Sequence, residues 1–375
     1  QIILNEQKWA GNIEIHVKSS DWYLHQHEKD ANYDNVILHV VWENDAPIFR
    51  KDNTEIPTLE LKKYVSKEVL ENYLKLKTKK SWIYCESEIA SIDDFTFKSW
   101  QERLFFERLE RKEIPILELL KETENDWEAV LFCMLAKNFG LNTNGEAFLK
   151  MAKSIPFSVI RKESFEVENL EALLFGMANL IPTEVEDNYM KDIQKRFDYC
   201  IQKYQFQKKI ITPVQFFKHR PDNFPTIRLA QLAMLYHVQQ NLFSKIISVS
   251  RMEDFYQLFD ISVSNYWQTH YQFDKESPRK KKSFSKSFID LLVINTIVPI
   301  QFSFAKSQGK EISETILETM NAVHPEKNNV IEKFATFGIK SKNAFETQSL
   351  LQLKNEYCDK SKCLECGIGI QLLKG

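Results

Sequence analysis

The chain has 375 residues, of which 43% are hydrophobic and 27% are charged, and its formal net charge at pH 7 is −2. This composition is typical of a soluble globular protein, and the length is sufficient for two domains. The nearly balanced charge excludes a global attraction to nucleic acid or anionic lipid, so a polyanionic partner would need a local basic patch.

The amino-terminal part of the chain has the alternating pattern of β-strands. Period-2 alternation and β-branched residues predict strands near residues 1–4, 10–18, 35–42 and 57–61. The polar, histidine-rich segment 21–34 is predicted to be a connecting loop. The whole chain contains only nine glycines, which favours a mostly helical body behind a small sheet.

From Lys63 onward, apolar residues recur with helical spacing, and most prolines, Pro115 among them, fall between these runs or at their edges. Helices are predicted over residues 65–76, 97–109, 127–139, 148–152, 170–180, 189–204, 228–242, 284–297 and 344–357. Asp126 is predicted to cap the helix that begins at Trp127. We therefore predict an α+β fold. A small mixed β-sheet module over residues 1–95 is followed by a large all-α domain over residues 96–375, which ends in a cysteine cluster.

Composition also bears on location. The most apolar stretch, residues 288–300, is shorter than the ~18 residues of a membrane span and contains Asp290 and Asn295. We therefore expect no membrane association. Six cysteines without a regular framework indicate a reducing compartment, and the sequence has no signal-peptide pattern. A cytoplasmic location is predicted.

The first candidate site lies on the second predicted strand. Because side chains alternate along a strand, Glu14, His16 and Lys18 share one face, and Ile13, Ile15 and Val17 fill the other. A carboxylate, an imidazole and an ammonium group in a row suit metal-assisted hydrolysis.

This arrangement is similar to part of the site of PD-(D/E)XK nucleases, which hold a metal with an aspartate on one strand and a Glu-x-Lys element on the next. Glu14 and His16 occupy the Glu-x-Lys-like positions, with histidine in place of lysine. We predict that Glu14 and Asp21 hold Mg²⁺ or Mn²⁺, that His16 or Lys18 orients or deprotonates water, and that His39 assists.

Three alternatives stay open for this region. The strand face is a solvated surface with structural histidines, or the protein is a non-catalytic nucleic-acid-binding or scaffold protein. In the third alternative, His16, His25, His27 and His39 bind a transition metal in a metalloenzyme of another class.

The second candidate site is the pattern Cys358-x4-Cys363-x2-Cys366 near the end of the chain. Thiolates at this spacing can bind Zn²⁺ or an iron–sulfur cluster. A fourth ligand would come from Cys85, Cys133, Cys200 or a histidine. The alternative is three reduced cysteines around a helix end.

Two basic segments form the third candidate site. Arg220 and Arg228 flank a predicted helix start and suit phosphate recognition, and Lys280 and Lys281 belong to a basic loop. These four residues are predicted to contact the phosphates of DNA or RNA. The alternatives are structural salt bridges for the two arginines and a solvated loop for the two lysines.

The residues also resemble a family. The run 9–16, Ser20-Asp21-Trp22, His25, Tyr33 and residues 35–41 resemble the bacterial domain of unknown function 2851 family. The likeness continues in Arg220-Pro221, Asn223, Pro225, Arg228-Leu229, Tyr357-Cys358, Cys363 and Cys366, and so covers essentially the whole chain. The resemblance brings no established activity.

Members of that family usually carry a Gly-Pro-Asp-Phe element shortly before the Trp-x-Gly-Asn-x-Glu strand, and the sequence begins after the place of that element. The resemblance therefore implies that a metal-binding aspartate of a nuclease-like site lies outside the chain as given. Such a chain would be inactive as a metal-dependent nuclease or phosphodiesterase.

Overall fold

The computed structural model describes residues 2–4, 6–78, 81–184, 187–206 and 212–374. It divides into two compact units, one formed by Gln1–Asp93 with Ser361–Gly375 and the other by Asp94–Lys360. The fold is α+β, with the larger sheet in the first unit and a mainly helical second unit. The sequence prediction placed all residues after 95 in the helical domain, whereas residues 361–375 pack with the first unit.

All four predicted strands are present in the first unit. Strands β1 (Ile2–Leu4) and β2 (Gln7–Trp9) pair antiparallel, and β2 was not predicted. Strands β3 (Asn12–Lys18), β4 (Val36–Glu43) and β5 (Thr58–Glu60) form a parallel sheet in the order β3-β4-β5. A short antiparallel pair, β6 (His270–Gln272) and β7 (Lys275–Glu276), lies in the second unit.

Glycine is required where β3 begins beside β4. A Cβ atom on Gly11 would lie 2.5 Å from the backbone oxygen of Asn35 and 2.5 Å from Cγ2 of Ile37. The neighbouring N–H of Asn12 donates to that same oxygen at 2.8 Å. This close approach sets the register in which Glu14 lies opposite His39.

The two faces of this sheet differ from the expected arrangement. Ile13, Ile15 and Val17 lie on the face opposite Glu14 and His16, but they are 46%, 69% and 66% exposed. The small core consists instead of Val36, at the start of β4, and of Trp22, Ile48 and Ile56, which lie in the chain segments after β3 and β4. The polar face of β3 is therefore the covered one, because the segment after β3 folds back over it.

The α-helices that the structure describes follow in chain order. They are α1 (Asp21–Leu24), α2 (Lys67–Thr78), α3 (Asp94–Glu122), α4 (Trp127–Phe139), α5 (Leu141–Lys153), α6 (Phe157–Glu163), α7 (Val167–Met177), α8 (Asn188–Tyr204), α9 (Pro225–Val238), α10 (Leu242–Ser248), α11 (Met252–Leu258), α12 (Asn265–Thr269), α13 (Lys286–Leu292), α14 (Val298–Ser307), α15 (Ser313–Ala322), α16 (Asn329–Thr336), α17 (Ala344–Gln352) and α18 (Gly367–Lys374). Turns of π-helix cover Val293–Ile297 and Leu353–Cys358.

The structure tests where the sequence predicted that helices begin and end, at a capping residue and at a proline. The prediction that Asp126 caps α4 is confirmed, since its Oδ1 accepts from the N–H groups of Glu128 and Ala129 at 3.0 and 3.1 Å. Pro115, expected between helices, lies inside α3. The helix continues past it because Ile116 and Leu119 are buried in the large core of the second unit.

Helix α13, the following π-helical turn and α14 form one continuous segment, Lys286–Ser307, of 22 residues. By length and composition this segment could cross a membrane, and it is longer than the stretch 288–300 found in the sequence. However, 78% of its most apolar window is buried inside the protein. Its apolar side chains therefore belong to the core of the second unit.

Candidate metal centre

The segment between β3 and β4 is folded rather than an open loop. After β3, the carboxylate of Asp45 accepts from the Ser20 N–H at 2.9 Å and from the hydroxyls of Ser19 and Ser20. These hydrogen bonds hold the pKa of Asp45 at about 2. Helix α1 and the 3₁₀ turns His27–Lys29 and Ala31–Tyr33 follow. The prediction of a connecting loop is wrong, because contacts to residues after β4 order it.

Trp22 anchors this segment against the sheet. Its side chain is fully buried, and its indole N–H donates to the backbone oxygen of Phe49 at 3.1 Å. The indole ring lies 5.3 Å from the ring of His27 and 5.8 Å from that of His39. The ring of Tyr33 stacks on that of His27, with 3.7 Å between the ring centres. The aromatic side chains therefore fix the position of His27.

Three histidines converge over β3. Single ring nitrogens of His16, His25 and His27 all lie within 4.8 Å of one another. Nε2 of His16 is 3.1 Å from Nδ1 of His25, and the His16 and His27 rings stack at 5.3 Å. We name these three residues the histidine centre. Nε2 of His16 and Nδ1 of His25 are within hydrogen-bond distance of each other, and three imidazole nitrogens this close together could also bind one metal ion.

Glu14 adds a carboxylate to the histidine centre. Its Oε1 lies 3.7 Å from Nε2 of His16 and 4.0 Å from Nε2 of His27. The carboxylate side chain is 28% exposed and His25 is exposed, whereas the side chains of His16 and His27 are only 8% and 10% exposed. The centre is therefore supported from the inside and open to solvent on one side.

The spacings are compatible with a single tetrahedral ion. Ligand atoms that lie about 2.0–2.1 Å from such an ion are roughly 3.3–3.4 Å apart. The observed separations of 3.1, 3.7 and 4.0 Å bracket that value. Small side-chain rotations would bring Glu14 and the histidine centre onto one ion.

His39 lies behind the histidine centre on β4. It is fully buried, and its Nε2 is 2.8 Å from Nδ1 of His16. When Nε2 of His16 faces a metal ion, its proton is on Nδ1 and is donated to His39. Nδ1 of His39 is buried with no hydrogen-bond partner in the described part of the chain. His39 therefore lies in position to orient the ring of His16.

Burial determines the protonation of this pair. Desolvation lowers the pKa of His39 to about 4, and the neighbouring His16 and His27 act in the same direction. Desolvation also lowers the pKa of His16, against the opposing effect of Glu14. Both imidazoles are therefore neutral at pH 7, the form that accepts hydrogen bonds and binds metals.

The remaining residues predicted for this site contribute less directly. Glu14, His16 and His39 share one side of the sheet, as predicted, but Lys18 is exposed, and its backbone N–H donates to Oδ2 of Asp21 at 2.9 Å. That carboxylate is near enough to raise the pKa values of His16 and His39 slightly. Asp21 thus lies at the edge of the centre.

The preferred sequence hypothesis omitted His25 and His27 as ligands, although the histidine-based alternative included them. The sequence feature that could have indicated these ligands is the His-x-His pair that shortly follows the Glu-x-His strand. That feature becomes informative only once the fold of residues 19–33 is known, because this fold brings the pair back over β3.

The predicted cysteine site is divided between the two units. Cys363 and Cys366 belong to the first unit, whereas Cys358 ends the last π-helical turn of the second. Burial raises the pKa of the Cys85 thiol to about 12, and the neighbouring thiols of Cys366 and Cys363 contribute. The shared site with Cys358 stays a prediction.

The two predicted phosphate-binding segments meet in the second unit. Lys280 pairs with Asp222 at 2.8 Å, close in sequence to Arg220, which is exposed. Arg228 is only 6% exposed, lies 3.5 Å from the Phe288 ring centre and donates to the side chains of Gln231 and Asn223. Arg228 therefore ties the loop to α9 through amides rather than through a salt bridge.

The rest of the basic loop is only partly solvated. Lys281 is exposed and lies 3.8 Å from Asp260. Lys282 is 3% exposed and donates to the backbone oxygens of Trp267 and His270. Of the four residues predicted to contact phosphate, Arg220, Lys280 and Lys281 are exposed, and the two lysines lie beside carboxylates.

Comparisons with known proteins identify the family. The family model described as "Protein of unknown function (DUF2851)" matches residues 1–329, which is most of the chain. No curated protein and no solved structure matches the chain. The match agrees with the resemblance seen in the Trp-x-Gly-Asn-x-Glu strand and its neighbours, and the chain belongs to the DUF2851 family.

Proposed function

We propose that the chain is a metal-dependent hydrolase in which Glu14 and the histidine centre bind one divalent transition-metal ion. The observation that carries this proposal is the approach of three imidazole nitrogens within 4.8 Å of one another, with a carboxylate oxygen beside them. Two of the histidines lie in a segment that is anchored by a buried tryptophan. The centre is thus supported by packing on its inner side.

The donor set indicates the kind of ion. Mg²⁺ prefers oxygen ligands and retains several waters, whereas neutral imidazole suits Zn²⁺ and Fe²⁺. A centre with three imidazoles and one carboxylate therefore favours a transition metal over the Mg²⁺ of the sequence hypothesis. Mn²⁺, the second ion of that hypothesis, stays among the candidates.

The chemistry follows from the open side of the centre. A divalent metal ion held there would supply Lewis acidity toward a water or substrate oxygen at a coordination position that the protein donors leave open. Glu14 and His25 face solvent and leave access for a substrate, while His39 holds His16 in the tautomer that presents Nε2. Asp21, at the edge of the centre, is a further carboxylate to which a proton would be transferred.

A phosphodiester is the proposed substrate class. Support comes from the basic segments of the second unit, where Arg220 is exposed and the exposed Lys280 and Lys281 lie beside Asp222 and Asp260, whose places phosphate oxygens would take. Guanidinium and ammonium groups bind phosphate oxygens and position a nucleic-acid backbone without reading its sequence. DNA and RNA are therefore the first macromolecular substrates to examine.

The test is hydrolysis by the metal-loaded chain. Bis(4-nitrophenyl) phosphate, plasmid DNA and a structured RNA would be incubated with the protein and Zn²⁺, Fe²⁺, Mn²⁺ or Mg²⁺. We expect cleavage of at least one substrate with a transition metal, and a fall of at least ~100-fold in Glu14→Gln, which loses a charged ligand. Glu43→Gln, at the end of β4, is the matched control and should retain activity.

Two results would contradict the proposal. One is the absence of cleavage of all three substrates by protein that holds stoichiometric metal. The other is equal activity of Glu14→Gln and the unsubstituted chain, which would assign cleavage to another part of the protein or to a contaminant.

A further inference from the structure

Cysteines from two distant parts of the sequence come together in the first unit. Cys85 precedes the 3₁₀ turn Ile89–Ser91, and Cys363 and Cys366 precede α18. The hydroxyls of their neighbours, Tyr84 and Ser361, are 3.2 Å apart. Helix α18 also contacts α2, since the Asn72 side-chain amide lies 3.5 Å from the backbone oxygen of Leu373.

The Cys-x2-Cys element forms a tight turn against α18. The N–H of Cys366 donates to the backbone oxygen of Cys363 at 3.3 Å, and α18 begins at the next residue, Gly367. A Cβ atom on Gly369 would lie 2.2 Å from that same oxygen, so only glycine allows the helix to pack here. Burial raises the pKa of the Cys363 thiol, as it does that of Cys85.

The other cysteines provide a contrast. Cys133 on α4 and Cys200 on α8 are buried in the hydrophobic core of the second unit. The cysteines of the described part of the chain form no disulfide bond. Cys133 and Cys200 are surrounded by apolar side chains, as packing cysteines are, whereas Cys85 is near enough to Cys363 and Cys366 for their charges to affect its pKa.

We propose that Cys85, Cys363 and Cys366 bind a thiophilic metal as thiolates, forming a structural site that fastens α18 to the segment around Cys85. Each thiol would release its proton to solvent as its sulfur binds the metal. Thiolates bind both a single Zn²⁺ ion and an iron–sulfur cluster, and the site would hold one of these two. This site is separate from the histidine centre and does not rest on the proposed hydrolase.

The first test is the metal content of the full chain. Zinc, iron and acid-labile sulfide would be measured after purification without chelators in Cys85→Ala, Cys363→Ala and Cys366→Ala. We expect each variant to lose about one equivalent of metal, or the iron and sulfide of one cluster, relative to the unsubstituted chain. Cys133→Ala and Cys200→Ala are the matched controls and should retain it.

A second measurement needs no substitution and so does not depend on the folding of variants. The unsubstituted chain would be alkylated with and without prior chelation, and the modified cysteines mapped by mass spectrometry. We expect chelation to increase the labelling of Cys85, Cys363 and Cys366 at least ten-fold. His16→Ala should show the same protection, which separates this site from the histidine centre.

Two outcomes would overturn the thiolate site. One is labelling of the three cysteines that chelation does not change. The other is a metal content that falls equally in the three site variants and in the Cys133 and Cys200 controls.

Discussion

Replacement of His16 by alanine is expected to weaken the binding of Zn²⁺ at the histidine centre at least ~100-fold, which corresponds to about 2.7 kcal/mol. His16 lies between the other donors, 3.1 Å from His25 and 3.7 Å from Glu14. Its removal deletes one ligand and also the link to His39. The affinity would be measured by competition with a chelator of known affinity, with circular dichroism confirming the fold.

A graded pair of variants sharpens this prediction. His39→Phe keeps a ring in the buried site but removes the acceptor of the His16 Nδ1 proton, so we expect a loss of ~10- to 100-fold. His324→Ala removes an exposed histidine of the second unit and should bind Zn²⁺ like the unsubstituted chain. Unchanged affinity in His16→Ala would show that the three nitrogens do not share an ion.

Replacement of Glu171 by glutamine is expected to remove a large pH dependence of stability. Glu171 is fully buried on α7, and its carboxyl oxygens lie 2.7 Å from the hydroxyls of Ser264 and Tyr189. Burial raises its pKa from 4.5 to about 8. Between these values the folded chain keeps a proton that the unfolded chain has released, so the free energy of unfolding falls as the pH rises.

The size of this effect follows from the pKa values. A difference of 3.5 between the folded pKa of about 8 and the ordinary value of 4.5 corresponds to about 4 to 5 kcal/mol at most, all lost above pH 8. The free energy of unfolding would be measured by urea denaturation between about pH 5 and pH 9, followed by a spectroscopic signal from the second unit. Glu171→Gln mimics the protonated acid and should lose this component.

Another buried group makes the comparison with a variant necessary. Burial lowers the pKa of Lys112 from 10.5 to about 7, which makes the free energy of unfolding rise with pH between those values. The difference between Glu171→Gln and the unsubstituted chain cancels this contribution. Glu102→Gln, on the exposed face of α3, is the control, and an identical pH profile in Glu171→Gln would refute a raised pKa.

Much of the fold could be predicted from local patterns. Strands β3 and β4 alternate clearly, and α4 begins at its predicted cap because Asp126 acts on residues two and three positions away. Pro115 was expected to separate two helices but lies inside α3. The missing N–H of proline destabilises the helix locally, and the burial of Ile116 and Leu119 outweighs this cost. The burial that decides such cases is not a local property.

The candidate site could be predicted only in part for the same reason. Alternation along β3 put Glu14 and His16 on one face, and the parallel register put His39 beside them. The positions of His25 and His27 depend on Asp45 and Phe49, which hold α1 from more than twenty residues away. Cys85 likewise becomes a candidate ligand only when the chain end folds back to it.

Anomalous diffraction from crystals grown with Zn²⁺ tests the central claim most directly, because it places the ion itself. We predict one strong peak about 2.0–2.2 Å from nitrogens of His16, His25 and His27 and from an oxygen of Glu14, with Nδ1 of His16 still within hydrogen-bond distance of His39. A well-ordered histidine centre with no peak among its four side chains, in crystals that hold zinc elsewhere, would contradict it.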